Sequence, residues 1–379
     1  MLKKLLLVVL LACATQVFAQ DAKPIKVGVL APLSGFAAAD GKSAVDSIKL
    51  AAQAINDAGG LLDRPVQLVV YDDQADPKQA VNFARRLAGQ DKVSFAILAS
   101  YSGASIAAAD VFNDKGIPAM AAYAVAPKVT LDHPYVFRME VLGTVQGRVG
   151  ALLSKKLGAN TAAILTIQND FGQALEQGFR EQAQKQGLDI VFHTTYPLGN
   201  KTFTPTLIRV KAAHPDVIYA SGYYTGAANL VRQAQSLGIQ AQIIGQEGYD
   251  SPKFMELAGA AANGVMITTT LDRDSDDPQV QDFLTAYKDK TGRAADMVGA
   301  SGYAALRTMA KIVDQAGSTD GKAIRQAING MRDIDTVVGH IYHWDDNGDP
   351  IKTYTVQIVK NGEFHRYMTV DDKQIFADQ

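Results

Sequence analysis

The chain has 379 residues and a single cysteine, Cys13. Everything after position 13 therefore lacks thiols, which excludes disulfide staples and cysteine-ligated metal sites from the body of the protein. Positive charge is also scarce: 37 Lys and Arg stand against 39 Asp and Glu. A mildly acidic chain has no basic face for phosphates, so nucleic acid is excluded as a partner. Beyond the N-terminus no apolar run is long enough to span a bilayer. Several enzyme signatures are missing as well. There is no G-x-x-x-x-G-K-[ST] and no G-x-G-x-x-G after a strand. Ser102 is followed by Gly103, but Ser100 stands two positions before it, where a nucleophile elbow needs Gly. His340 and His343 fall in a predicted strand at a spacing that sends them to opposite faces, so they read as surface residues. Asp345, Asn347 and Asp349 begin like a calcium loop. Pro350 then replaces the required Gly and Val356 the required Glu, which leaves a hairpin turn. No enzymatic activity, cofactor or metal is expected.

The N-terminus is different in kind. Lys3 and Lys4 precede the unbroken apolar run Leu5–Ala12, and Val17-Phe18-Ala19 offers a cleavage site. This is the anatomy of a secretory leader, residues 1–19, with cleavage after Ala19. Its loss removes two lysines and takes the formal charge from −2 to −4. The competing reading is Leu10-Leu11-Ala12-Cys13 as a lipoprotein box, which would leave a lipid on Cys13. Leu11 is bulky for that role. A free, exported protein in the periplasm is the expectation.

The remainder alternates short β-rich runs with helical patterns. Ile25–Leu30, Val66–Tyr71, Phe95–Leu98 and Ile117–Ala122 read as strands. Helices Gly41–Asn56, one opening at Asp76-Pro77, and Ala104–Asn113 fall between them. Gly59-Gly60 ends the first helix, and Asp76 caps the second. After Tyr135–Met139 the rhythm restarts. Strands are predicted at Ala162–Ile167, Asp189–His193, Val217–Ala220, Gln242–Gly245 and Val265–Thr269. The intervening helices are Thr144–Leu157, Gly172–Gln186, Thr204–Ala213 and Gly226–Leu237. Such alternation means βαβ units, hence two α/β lobes with doubly wound parallel sheets. The last third reads as three helices, Val280–Lys290, Gly302–Gln315 and Lys322–Asn329. Strands Ile341–Trp344 and Thr353–Val359, paired around the turn 345–349, then follow.

Ala31-Pro32-Leu33-Ser34-Gly35, Ala54-Ile55-Asn56, Gly59-Gly60 and Tyr71-Asp72-Asp73 occur in order. Asp76-Pro77-Lys78-Gln79-Ala80-Val81, Gly222-Tyr223-Tyr224, Gly245-Gln246-Glu247-Gly248, Asp335-Thr336-Val337-Val338-Gly339 and Trp344-Asp345 follow. In this order and spacing the chain resembles the branched-chain amino acid-binding family of periplasmic binding proteins. The resemblance implies the type I fold, in which a three-segment hinge joins the two lobes. It places residues 20–141 with 271–335 in lobe 1, and 142–270 with 336–379 in lobe 2. It implies a monomer that binds a small molecule, an amino acid foremost, and delivers it to an ABC-transporter permease.

The resemblance also nominates a site. Ser102, with Tyr101 beside it, and the loop Tyr123-Ala124-Val125 match the positions that hold the ligand carboxylate. A strand-to-helix turn suits an anion. Glu247 matches the acid for the ammonium and Tyr223 the aromatic beside it, both at the carboxyl edge of predicted strands. Phe171 matches a pocket-wall position. Three residues depart from the pattern. Val125 lacks the threonine hydroxyl of well-known members, at a cost of about 1.5–3 kcal/mol if nothing replaces it. Tyr123 replaces a small residue, and either narrows the pocket or supplies the lost donor. Asp40 stands at an aromatic position, where it disfavours an apolar ligand side chain and favours a polar or cationic one, or else caps the helix before Gly41. Other readings are the same fold binding an amide, urea or an aromatic carboxylate, a ligand sensor, and a Rossmann-type dehydrogenase.

Overall fold

The structure, a computed structural model, describes residues 23–371 and Ile375. The leader, its cleavage site and Cys13 lie outside the described residues. No helix among the described residues is long and apolar enough to cross a membrane.

The first sheet is built from β1 (Ile25–Ala31), β2 (Val66–Asp72), β3 (Phe95–Leu98), β4 (Ala119–Ala121) and β5 (Val136–Arg138). The connecting helices are α1 (Ala38–Asp57), α2 (Pro77–Arg86) and α3 (Ser102–Asp114). The strands run parallel in the order β2-β1-β3-β4-β5. The order reverses between β1 and β3, so the loops after those two strands diverge and open a crevice at their carboxyl ends. Local chemistry sets the elements. Gly59 and Gly60, at φ of 107° and 91°, end α1 in a conformation that side chains resist. The Asp76 carboxylate accepts from the amides of Lys78 and Gln79 and so caps α2.

The second sheet repeats the plan. After α4 (Gly143–Lys156) come β6 (Thr161–Ile167), α5 (Asp170–Gln186), β7 (Asp189–Tyr196), α6 (Thr204–Ala212), β8 (Val217–Ala220), α7 (Tyr224–Ser236), β9 (Gln242–Gln246), α8 (Pro252–Ala258) and β10 (Met266–Thr269). Its parallel part runs β7-β6-β8-β9-β10, with a second reversal between β6 and β8. Helices α4 and α5 pack backbone to backbone. A methyl on Gly178 would sit 1.8 Å from the Thr144 carbonyl oxygen, and one on Gly147 would sit 2.1 Å from that of Leu175.

The chain then returns. Helices α9 (Pro278–Thr291) and α10 (Met297–Ala316) pack on α1, and α10 also touches β3 and β4. The Asp296 carboxylate at the start of α10 takes the Ser43 hydroxyl of α1 at 2.6 Å and the Gly299 amide at 2.8 Å. After α11 (Gly321–Gly330) a small antiparallel sheet forms from β11 (Ile334–Thr336), β12 (Gly339–Trp344) and β13 (Pro350–Lys352). Finally β14 (Tyr354–Lys360) and β15 (Glu363–Val370) extend the second sheet, with β14 antiparallel to β10.

One expected pairing is corrected. Ile341–Trp344 does not pair with Thr353–Val359: β12 pairs with the triplet Pro350–Lys352, and Tyr354–Lys360 lies between β10 and β15. The turn is tight, because the Asp345 carboxylate accepts from the amides of Asn347 and Asp349. The first residues after it therefore take the partner strand, and the chain leaves at Thr353.

Candidate ligand-binding cleft

Six loops converge between the sheets: those after β1, β3 and β4 from one side, and those after β6, β8 and β9 from the other. They bring Asp40, Tyr101, Ser102, Tyr123, Phe171, Tyr223 and Glu247 around one cavity of about 20 Å³, together with Gly248, Met297 and Val298. That volume holds about one water molecule.

Aromatic rings fill most of the cleft. Tyr101 stacks on Tyr223 with centroids 4.2 Å apart and planes within 7°. Phe171 also stacks on Tyr223, with centroids 5.2 Å apart and planes within 15°. Phe36 leans on Tyr101 at 5.7 Å and on Tyr223 at 6.1 Å, and Tyr123 meets Tyr101 edge-on at 6.1 Å. The Asn169 side-chain amide donates to the Tyr223 hydroxyl at 3.1 Å while its oxygen caps α5. Such stacks are worth about 0.5–1.5 kcal/mol beyond the area they bury.

Ser102 is the first residue of α3, and Tyr101 occupies the cap position before it. The Ser102 hydroxyl oxygen accepts from the Ala126 amide at 3.3 Å, so Ser102 does not cap its own helix. The unpaired first-turn amides of α3 give this end of the cavity a partial positive charge.

Asp40 lies in the first turn of α1 but is not its cap, because α1 opens at Ala38. Its carboxylate accepts from the Tyr101 hydroxyl at 2.6 Å. Burial, reinforced by Asp296, pushes the Asp40 carboxyl up to about 8, and the Tyr101 bond only partly offsets this. Burial likewise raises Glu247 well above the carboxylate range, with Glu140 adding to it. The Gln146 side-chain amide, which donates to Glu247 at 2.8 Å, opposes this rise, as do Arg138 and Lys352.

Of the loop after β4, Tyr123 lines the cavity. Ala124 and Val125 are buried but are not among the residues lining the cavity. The reason is Arg138, a fully buried guanidinium that takes the carbonyls of Ala124 and Ala126, the Thr130 hydroxyl and the Asp349 carboxylate. The Val125 carbonyl accepts the Gly143 amide at 2.8 Å. The Tyr123 hydroxyl donates to the Ala99 carbonyl, so its proton is committed and what it brings to the cavity is its ring.

Sequence reasoning missed Met297 and Val298, which reach the cleft because α10 returns onto α1. It also missed the polar residues behind Glu247. The carboxylate pair Asp72 and Asp73 is structural: Asp72 binds the amides of Leu33, Ser34 and Gln74, and Asp73 binds the Ala75 amide and the Ser100 hydroxyl.

A model of the periplasmic binding protein family matches residues 24–363. The chain is similar to the Leu/Ile/Val-binding protein homolog 3 of Brucella melitensis biotype 1, with 30% identity over 330 residues, 86% of this chain and 88% of that protein. Among solved structures it is similar to the leucine-binding protein LivK of Thermotoga maritima, with a TM-score of 0.86, 28% identity, and coverage of 92% of this chain and 99% of that one. The fold is also shared with an ABC-transporter solute-binding protein of R. palustris solved with benzoate, at a TM-score of 0.84 and 21% identity, over 92% of this chain and 98% of that one. The family consists of two-lobed solute-binding proteins and not of enzymes, and on the match across residues 24–363 this chain belongs to the periplasmic binding protein family.

Proposed function

We propose that this protein binds an amino acid between its lobes in the periplasm and delivers it to the permease of an ABC importer. One observation carries the reading. A helix N-terminus on one side of the cleft and the buried acid Glu247 on the other line the same cavity. The first suits a carboxylate and the second an ammonium. A ligand with both groups bridges the lobes and shifts their balance toward closure. The Brucella and Thermotoga relatives, whose names state binding of Leu/Ile/Val and of leucine, support an amino-group ligand. We assign residues 23–141 and 271–335 to one lobe and 142–270 to the other. We place the third crossing at Thr353, between β13 and β14, instead of at residue 336, because the Arg138 amide at the end of β5 donates to the Gly348 carbonyl. A monomer suits this scheme, since each chain holds a complete cleft.

The second reading is an aromatic carboxylate, favoured by the three stacked rings Phe171, Tyr223 and Tyr101. Glu247 opposes it, because a ligand without an ammonium leaves that acid uncompensated. The test is thermal unfolding of the refolded protein against amino acids, amides, urea and benzoates. A ligand at a hundred times its Kd adds about 2.7 kcal/mol to the apparent stability. Amino acids are expected to raise the midpoint. A response confined to benzoates, amides or urea would overturn the assignment of Glu247. Loss of low-concentration uptake on deletion separates transport from pure sensing.

A further inference from the structure

Asp40 is 3% exposed and lines the cleft, yet among the described residues it has no ion-pair partner. Among the described residues the only side-chain group it holds is the Tyr101 hydroxyl. The charged groups nearest to it in effect, Asp296 and Asp250, are acids like itself. The cations of this region are committed elsewhere: Arg273 to Asp250, Arg293 to Asp46, Arg138 to Asp349, and Lys352 to Glu140.

A buried acid without a cation lowers stability, and such a residue persists where function needs it. Holding Tyr101 does not require a charge, because an asparagine oxygen in the same place accepts the same bond. The surroundings of Asp40 suit a cation in a second way. The rings of Tyr101, Tyr123, Phe171 and Tyr223 line the same cavity, and aromatic faces attract ammonium and guanidinium groups. Since the cavity measures about 20 Å³, an amino acid enters only by parting the Tyr101–Tyr223 stack, and that parting frees the two ring faces.

The cleft thus presents two carboxylates, Asp40 and Glu247, and one helix N-terminus. A ligand with one carboxylate and one ammonium satisfies Glu247 and the helix and leaves Asp40 buried without a cation. Building on the amino-acid reading above, we propose that Asp40 is a specificity-determining residue that selects amino acids with a second, positively charged group at the end of the side chain, the diamino acid class.

Titration calorimetry of the refolded full-length protein with ornithine, lysine, norleucine and leucine tests this. Norleucine matches lysine in chain length and lacks only the terminal ammonium. The expected result is that ornithine or lysine binds at least about tenfold more tightly than norleucine. Asp40→Asn is then expected to remove most of that preference, with ornithine and lysine losing markedly more affinity than norleucine. Wild-type selectivity is a test in its own right, so a misfolded variant does not rescue the proposal. Norleucine or leucine binding as tightly as the diamino acids overturns it and leaves the amino-acid reading intact. Equal losses for all ligands in Asp40→Asn reduce Asp40 to a structural role and overturn it too. Binding of benzoate with no response to any amino acid overturns both readings together.

Discussion

Glu140 and Lys352 form an ion pair at 3.7 Å with both side chains fully buried. Glu140 lies in the first crossing between the sheets, just after β5, and Lys352 ends β13 directly before the third. The second crossing joins them through Thr270, whose hydroxyl donates to Glu140 at 3.0 Å, while Ser301 of α10 donates to the same oxygen. Lys352 also donates to the Met139 carbonyl at 3.2 Å. One carboxylate therefore gathers Thr270 after β10, Ser301 of α10 and Lys352 of β13. Replacing Lys352 with Met leaves that carboxylate without its cation and is expected to cost about 3–5 kcal/mol. The double variant Glu140→Gln with Lys352→Met is expected to recover part of the loss. Urea denaturation of the four proteins of the cycle measures the coupling, and simple additivity would show that the pair does not act as a unit.

Glu247 is the proposed partner of the ligand ammonium. Glu247→Gln keeps the shape and removes the charge. Truncating one side of a buried charge pair costs about 2–5 kcal/mol, so amino-acid affinity is expected to fall by at least about thirtyfold. Calorimetry reads this directly, and an unchanged Kd would remove the ammonium role.

Asp40 ties stability to pH. Its carboxyl is raised from 3.8 to about 8 in the folded protein. Below 3.8 it is protonated in both folded and unfolded states, and burial carries no ionic penalty. As pH rises from there to about 8, the unfolded chain releases the proton and the folded chain holds it, so stability falls and then levels off. Asp40→Asn has no such proton. Its melting temperature without ligand is expected to match the wild type near pH 4 and to exceed it increasingly up to pH 8, by the equivalent of a few kcal/mol at most. A constant difference across that range, read by calorimetry, would place the effect elsewhere.

Tyr101 and Tyr223 meet from opposite sides of the cleft. Tyr223→Ala removes the central ring of the stack and is expected to weaken the closed arrangement by about 0.5–1.5 kcal/mol beyond the lost contact area. Small-angle scattering without ligand should then show a larger radius of gyration than wild type. An identical profile would mean that closure rests on other contacts.

Gly178→Ala tests the packing of α4 on α5. The added methyl would overlap the Thr144 carbonyl oxygen, and backbone does not yield as a flexible side chain does. The expected loss is about 1–3 kcal/mol or more, read by urea denaturation. Gly187, at the end of α5, has open space around it. Its substitution tests left-handed strain alone.

Where one local signal faced no competitor, it was legible. The apolar runs Phe95–Leu98 and Val217–Ala220 are strands β3 and β8 residue for residue. Ser251-Pro252 carried a cap and first-turn signal for α8 that went unread, and Ser251 does accept from the Lys253 amide. The pairing around the turn 345–349 was misread because periodicity identifies strands without identifying partners. Pro350–Lys352 is too short to stand out, yet it takes the β12 hydrogen bonds. In the cleft, Ser102, Tyr223 and Glu247 were legible because each stands just past a strand at a sheet's carboxyl edge. Val125 stands past a strand too, but the side chain of Arg138 holds its loop, and no spacing rule predicts where that guanidinium ends.

The order of residues by itself determined the alternation of strands and helices, the caps at Asp76 and the glycines after α1, and the chain's likeness to its family. All of these are set within a few residues by hydrophobic period and backbone preference. Tertiary structure alone decided that α10 returns to bring Met297 and Val298 to the cleft, that Tyr101 lies on Tyr223, and that Glu140, Thr270 and Lys352 meet where the lobes join. Those contacts link positions far apart in the chain, and their energy comes from burial and from charges held out of water. Neither exists until the two sheets have packed and closed around them.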